Sequence, residues 1–173
     1  CGWAEGEVDL EGRLYSYNGQ LSADLYAARR MVEVALRNKV DAALTRRYGA
    51  GGFHDPAVMA DAYQQGCGHS AQQMLLRDGK AATHSQMVAE LNFGFWTSVF
   101  GRSSNHLWGT LRPIFQKQGI KRSLIAQKLR DLRRPRNRTA QYEPILAQPI
   151  AVLHQDMMDL TAWLSVDAAA GST

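Results

Sequence analysis

The residues best suited to chemistry lie in one short stretch of the chain, residues 132–145. Four arginines fall within six residues: Arg133, Arg134, Arg136 and Arg138. A guanidinium presents two parallel N–H donors, a geometry that matches the oxygens of a phosphate group. The stretch therefore predicts contacts with a phosphate ester.

Helical spacing would bring several of these side chains to one groove. Pro135 can open a helix, because the first helical turn does not use the amide hydrogen that proline lacks. Arg136 and Ala140 are then one turn apart on the same face, with Asn137 and Gln141 stacked beside them. The spacing predicts that an arginine, an asparagine and a glutamine line the same groove.

This stretch resembles the signature of the Abi-like branch of the HEPN superfamily, the helical ribonucleases of abortive-infection and toxin–antitoxin systems. The residues that fit are Arg136, Asn137, Arg138, Ala140, Tyr142, Glu143 and Pro144. The family's Arg-x4–6-His motif would place its histidine at position 141, where this chain has Gln141. The resemblance implies an endoribonuclease that needs neither metal nor cofactor and leaves a 2′,3′-cyclic phosphate.

The resemblance also implies a role for each matching position. Arg136 would stabilise the negative charge of the phosphorane, Asn137 would orient the phosphate, and position 141 would carry the proton. Contacts with the RNA are expected from Arg133, Arg134, Arg138 and Tyr142. Glu143 is expected to support the site or to pair with a nearby arginine.

Gln141 changes what this chemistry can achieve. Histidine suits proton transfer because its pKa lies near neutrality, whereas a glutamine amide does not titrate. Losing a positioned acid–base group typically costs about 10²–10⁴ in rate. We therefore expect an inactive member of a ribonuclease family. A histidine codon becomes a glutamine codon by one base change, so the sequence leaves open whether Gln141 is natural or introduced.

Three functions stay open at this point. The chain is a ribonuclease toxin or phage-defence effector in an inactive form, a non-catalytic RNA-binding module that kept Arg136 and Asn137, or an interaction protein. In the last case it would be, for instance, an antitoxin-like partner whose basic groove binds an acidic protein. RNA binding that weakens steeply with salt would disfavour the third function.

Two further segments carry the resemblance. Residues 31–38 match the first long helix of the family, with Glu33, Arg37 and Asn38 as candidate supporting residues. Glu33 and Arg37 are also spaced for an ordinary i,i+4 ion pair. Residues 85–108 match a second family segment, and there the pattern of tryptophan, phenylalanine and leucine favours core packing over base stacking.

Composition is that of one globular domain over residues 1–173, with ragged ends at 1–12 and 166–173. Hydrophobic residues make up 45% of the chain and charged residues 21%. The net charge is +4, but nine Lys or Arg residues and a single acid, Asp131, lie between Lys117 and Arg138. This basic block predicts RNA as a partner, with a solvated helix face as the ordinary alternative.

No metal site and no membrane segment are expected. The two cysteines, Cys1 and Cys67, do not have metal-ligand spacing, and His69 and His84 lie in polar surroundings where exposure is predicted. No apolar run approaches the roughly 20 residues of a membrane helix, and no signal peptide is recognised. A basic, RNA-directed chain is expected in the cytoplasm.

The spacing of apolar residues is helical along most of the chain. Besides the helix from Pro135, helices are predicted over residues 14–48, 55–63, 70–76, 85–99, 122–132 and 149–164. Gly49 to Gly52 would end the first, Ser85 would cap the fourth, and Gly94 would allow a close approach by another helix. The predicted fold is an all-α, HEPN-like bundle of about five to seven helices. The family also implies a homodimer in which both motifs line one cleft.

Overall fold

The computed structural model describes residues 3–52, 55–139 and 150–164, with side chains for residues 20, 23–52, 55–133 and 151–164. The helices are α1 (Trp3–Tyr48), α2 (Ala62–Arg77), α3 (His84–Glu90), α4 (Phe93–Ser98), α5 (Trp108–Leu111), α6 (Arg122–Thr139) and α7 (Ile150–Leu164). Two short 3₁₀ segments, Arg102–Leu107 and Arg112–Ile114, flank α5. The described residues contain no strand, and the predicted all-α bundle of five to seven helices is confirmed.

The first helix is longer than predicted. It begins at Trp3 rather than at Leu14, although three glycines, which disfavour helix, lie among residues 1–12. Its end agrees with the prediction: Gly49 has a φ of 78°, the left-handed conformation in which glycine ends helices. The other predicted ragged end, 166–173, lies outside the described residues.

The helix predicted from Asp55 is a turn, and the real helix starts later. Asp55 accepts a hydrogen bond from the Ala57 backbone N–H at 2.8 Å, which stabilises a turn instead of a helix. α2 then runs for 16 residues, through the glycines expected to separate two helices. Gly68 is buried on the same face as Ala71 and Leu75, so packing outweighs the low helix propensity of glycine.

Residues 84–98 form two short helices, α3 and α4, where one was predicted. The cap of α3 is Thr83 rather than Ser85. Asn92 caps α4, with its Oδ1 accepting from the Phe95 backbone N–H at 3.0 Å. That side-chain hydrogen bond competes with continuation of the preceding helix, and this explains the break.

α6 continues without interruption from Arg122 to Thr139, so the prediction that Pro135 opens a new helix is wrong. Proline inside a helix costs about 3 kcal/mol, because a backbone hydrogen bond is lost and the ring crowds the preceding turn. Packing offsets this cost, since Ile125, Leu129 and Leu132 are fully or almost fully buried. Arg133 and positions 134–139 therefore belong to the same helix.

The core lies where α1, α4, α6 and α7 meet. α1 packs against α7, α5 and α4, while α6 packs against α4 and α7. Phe95 and Trp96 are fully buried, and their rings meet edge to face with 5.0 Å between centroids. The Trp96 indole donates to the Leu91 carbonyl at 3.2 Å. The prediction that this tryptophan belongs to the core is confirmed.

Candidate functional site

Arg133 is the last residue of α6 whose side chain the structure describes, and it is exposed. Its Nη2 lies 3.4 Å from the Tyr63 hydroxyl oxygen, to which it donates, and its guanidinium carbon lies 5.8 Å from the centre of the Tyr63 ring. Tyr63, on α2, keeps 43% of its surface exposed. A cation and an aromatic face are therefore held together at the surface, where a nucleic acid could reach both.

Gly94 makes this arrangement sterically feasible. A Cβ at position 94 would lie 2.5 Å from the Tyr63 hydroxyl, 2.9 Å from Asn92 Oδ1 and 3.0 Å from Arg133 Nη2. The predicted close approach at this glycine is confirmed, and it comes from the side chains of α2 and α6. We call Tyr63, Asn92, Gly94 and Arg133 together the Arg133 surface.

The Tyr63 hydroxyl is a neutral group at physiological pH. Partial burial and a hydrogen bond with the Cys67 thiol raise its pKa above the ordinary value of a phenol, although Arg133 opposes this. A phenol with a raised pKa is a poor proton donor near pH 7. Tyr63 can therefore contact a ligand but cannot replace the histidine of the family motif.

A cavity of about 380 Å³ adjoins the Arg133 surface. One wall is α2, with Tyr63, Cys67 and Met74, and the other is the junction of α3 and α4, with Glu90 and Asn92. The break between those two helices creates the second wall. Its mixture of apolar, amide and carboxylate groups suits a planar polar ligand such as a nucleobase.

Most of the predicted site residues lie where the structure gives no side chain. Arg134, Arg136, Asn137 and Arg138 belong to the helical backbone of α6, but their side chains are outside the described residues. Gln141, Tyr142 and Glu143 lie wholly outside them. Helical register puts position 136 one turn beyond Leu132 and Arg133.

The supporting residues of α1 do not form the predicted ion pair. Arg37 Nε donates to Asn38 Oδ1 at 3.4 Å, and within the described part of the chain no ion pair joins Arg37 to Glu33. Arg29, one turn before Glu33, stacks instead over the ring of Phe93, at 5.6 Å from its centre. α1 therefore meets α4 beside Gly94 through an arginine that the sequence did not single out.

Part of the basic block is internal rather than available to a polyanion. Lys128 is only 14% exposed and donates to Asp156 and Asp159 of α7. Arg122 donates to the Phe100 carbonyl and to Asn105 Oδ1. Arg130, Lys121 and Arg133 remain exposed. The block is thus divided between a structural ion-pair cluster and exposed cations on α6 (Arg130 and Arg133) and just before its start (Lys121).

His84 is not the exposed residue that was predicted. Its Nε2 lies 2.8 Å from Asp41 Oδ1 and its Nδ1 lies 3.0 Å from the Ala50 carbonyl. It joins the start of α3 to the end of α1. The two partners are 43 positions apart in the sequence, so no local sequence signal indicates this pair. His69 is exposed, as predicted.

Asp61 positions the start of α2 and with it Tyr63. Its carboxylate accepts from the Tyr63 backbone N–H at 2.9 Å, and a hydrogen bond from the Ser103 hydroxyl is the main reason that its pKa lies below the usual range. Asp61→Ala should cost about 1 kcal/mol of unfolding free energy at pH 7, because an N-cap is lost. Urea denaturation measures this difference.

Asp61→Asn is the matched control, since an amide oxygen still caps the helix. A carboxyl with a lowered pKa stabilises the fold above its unfolded pKa, and that contribution disappears as pH falls through the folded pKa. The difference in unfolding free energy between wild type and Asp61→Ala should therefore shrink below about pH 4. The difference between Asp61→Asn and Asp61→Ala should not change there, because the amide does not titrate. Equal stability of all three proteins at pH 7 would contradict the assignment.

Within the described residues, no helix is long and apolar enough to cross a membrane, and no group of three His, Cys, Asp or Glu side chains could hold a metal ion. Comparison with protein-family models, curated proteins and solved structures finds no match to this chain.

Proposed function

We propose that this chain is a HEPN-like domain of the abortive-infection type that binds RNA at the C-terminal half of α6 without cleaving it. The observation that carries the proposal is the Arg133 surface, where an exposed arginine of α6 is held over an exposed tyrosine of α2. α6 remains helical beyond Arg133, and positions 136 and 137 follow it by three and four residues. In a helix these positions share one face.

The groups of the Arg133 surface suit single-stranded RNA. Arginine contacts phosphate and also stacks on planar bases, and an aromatic ring such as Tyr63 provides a platform for an unpaired base. The adjoining cavity offers Glu90 and Asn92 for the polar edge of that base. Exposed Arg130, one turn before Arg133, adds positive charge along the same helix.

Binding without cleavage follows from the missing proton carrier. In the intact chemistry, Arg136 would stabilise the phosphorane and a histidine at 141 would transfer the proton. Glutamine at position 141 leaves the phosphate contacts in place and removes only the proton transfer. The proposal includes a homodimer whose two motifs share one cleft, a cytoplasmic location, and an antitoxin or defence protein as a further partner.

Arg136→Ala tests this function. The substitution should weaken binding to single-stranded RNA and lower the slope of log K against log salt by about 0.7, the value for one phosphate contact. Fluorescence anisotropy with labelled RNA at several salt concentrations measures both quantities. Arg77→Ala is the matched control, because Arg77 is an exposed arginine in the last turn of α2.

Two results would overturn the proposal. Wild-type protein that fails to bind RNA at low salt would remove the nucleic-acid function. If poly-glutamate competes with labelled RNA as effectively as unlabelled RNA does, the chain is better explained as an interaction protein that binds an acidic partner. Poly-glutamate has the negative charge of RNA but neither its phosphates nor its bases.

A further inference from the structure

A second basic surface lies at the C-terminal end of α1. A groove of about 700 Å³ separates the last turns of α1 from α5 and the 3₁₀ segment that follows it. Three cations of α1 line the groove, namely Lys39, Arg46 and Arg47. We call it the α1 groove. Its volume lies within the roughly 300–1,000 Å³ typical of ligand sites.

Small residues keep the α1 groove open. Lys39, Ala43 and Arg46 follow one another at spacings of four and three, so they lie on one face of α1. On the opposite wall Gly109 has no side chain, and a Cβ built there would meet nothing within 4 Å. The described residues therefore leave a groove between α1 and α5, with cations along one side.

Within the described residues, no ion pair involves the three cations of this groove. Its lining, all within the described residues, includes no acid. Asp41, the nearest acid along α1, lies 2.8 Å from His84 Nε2. Cations in the last turn of a helix ordinarily offset the helix dipole, which would account for Arg46 and Arg47. Lys39 precedes them by about two turns, beyond the reach of that effect.

The rest of the lining indicates what kind of anion fits. Thr110 can donate a hydroxyl hydrogen bond, while Pro113 and Ile114 offer an apolar floor. No aromatic side chain lines the groove, so it has no stacking platform for a base. Arg112 donates to the carbonyls of Phe115 and Lys117, which keeps its guanidinium engaged elsewhere.

We propose that the α1 groove binds the sugar–phosphate backbone of single-stranded RNA, independently of base sequence, as a second contact for the same strand. This inference rests on the proposed function, because it takes RNA as the ligand. Lys39, Arg46 and Arg47 contact successive phosphates, and Pro113 and Ile114 contact the sugars. The Arg133 surface engages bases, whereas the α1 groove adds affinity without specificity.

A substitution at Gly109 tests the groove without disturbing packing. Gly109→Glu places a carboxylate in the open space opposite the cations, and Gly109→Gln places a neutral side chain of nearly the same size. Both replace a helical glycine, so neither should lower the stability of the fold. Gly109→Glu should weaken RNA binding and lower the salt slope, whereas Gly109→Gln should keep the wild-type slope.

Two charge-reversing substitutions made together provide a second test of the α1 groove. Lys39→Glu with Arg46→Glu should lower the salt slope by about 1.4, the loss of two phosphate contacts on a single strand. Arg77→Glu with Arg102→Glu changes the net charge equally at exposed positions outside the groove. Inorganic polyphosphate is the parallel probe, because it carries phosphates without bases or sugars. Circular dichroism verifies that each variant is folded.

The outcomes separate the groove from the proposed function. If the groove variants bind RNA with wild-type affinity and salt slope, the proposal that the α1 groove binds RNA is overturned, and the proposed function stands. If wild type binds polyphosphate but not RNA, and the groove variants lose polyphosphate binding, the phosphate site stands while the RNA ligand and the proposed function fail. If the groove pair and the control pair lose RNA affinity equally, the effect is one of net charge, and the proposal that the α1 groove binds RNA is overturned. If the wild-type protein binds neither RNA nor polyphosphate, both the groove proposal and the proposed function are overturned.

Discussion

Under the proposed function, Gln141→His is expected to give a protein that cleaves RNA. A positioned imidazole supplies the proton transfer that glutamine lacks, and such a group is worth about 10²–10⁴ in rate. Cleavage should be insensitive to chelators and greatest near the pKa of imidazole, about 6.5. Incubation with a mixed RNA pool, followed by detection of 2′,3′-cyclic phosphate ends, measures this gain.

The control is Arg136→Ala in the Gln141→His protein. Cleavage should be lost again, because the negative charge of the phosphorane then lacks its guanidinium partner. A Gln141→His protein that is folded, binds RNA and yet produces no cyclic phosphate would contradict the interpretation that this chain is a ribonuclease inactivated at position 141. The chain would then be a binding module in its own right.

Lys128→Met is expected to cause a large loss of stability, of about 3–5 kcal/mol. Lys128 lies between α6 and α7, with its Nζ 2.5 Å from Asp156 Oδ1 and 2.9 Å from Asp159 Oδ2. Burial alone would lower the pKa of Lys128, but these two hydrogen bonds outweigh burial and raise the pKa. Removing one partner of a buried pair leaves a buried charge uncompensated, and this is what makes the loss large. Urea denaturation at pH 7 measures it.

Lys128→Met combined with Asp156→Leu is the compensating variant. Replacing a buried ion pair by apolar groups is often neutral, so the double variant should recover much of the stability lost by Lys128→Met. A loss below about 1 kcal/mol for Lys128→Met alone, which is typical of an exposed pair, would show that the cluster is not structural. Either result also decides whether Lys128 serves the fold or belongs to the exposed part of the basic block.

Helices held by regular apolar spacing could be predicted from the sequence. The interior of α1 and the whole of α7 follow that pattern, and Gly49 ends α1 where a glycine was expected. The boundaries that were wrong depend on single side chains. Asn92 breaks a helix by capping the next one, and Asp55 stabilises a turn, while Pro135 is accommodated because buried leucines of α6 hold the helix.

The candidate site could be predicted only in part, since its contacts join distant residues. The arginines of α6 were recognisable from local composition, but Tyr63 lies 70 residues from Arg133, and no periodicity links the two. Lys128 looked like a member of the exposed basic block because its acidic partners lie 28 and 31 residues later on another helix. Sequence spacing reports neighbours on one helix, whereas these groups meet only after the helices pack.

α1 is long for a chain of this size. Its 46 residues span about 69 Å at 1.5 Å per residue. A compact chain of 173 residues has a radius of gyration of only about 16 Å. Among the described side chains of α1, full burial begins at Val32, and Leu25 and Ala28 before it are only partly buried against the core. α1 is thus longer than a compact chain of this size is wide, and its buried residues in the described part of the chain all lie in its second half.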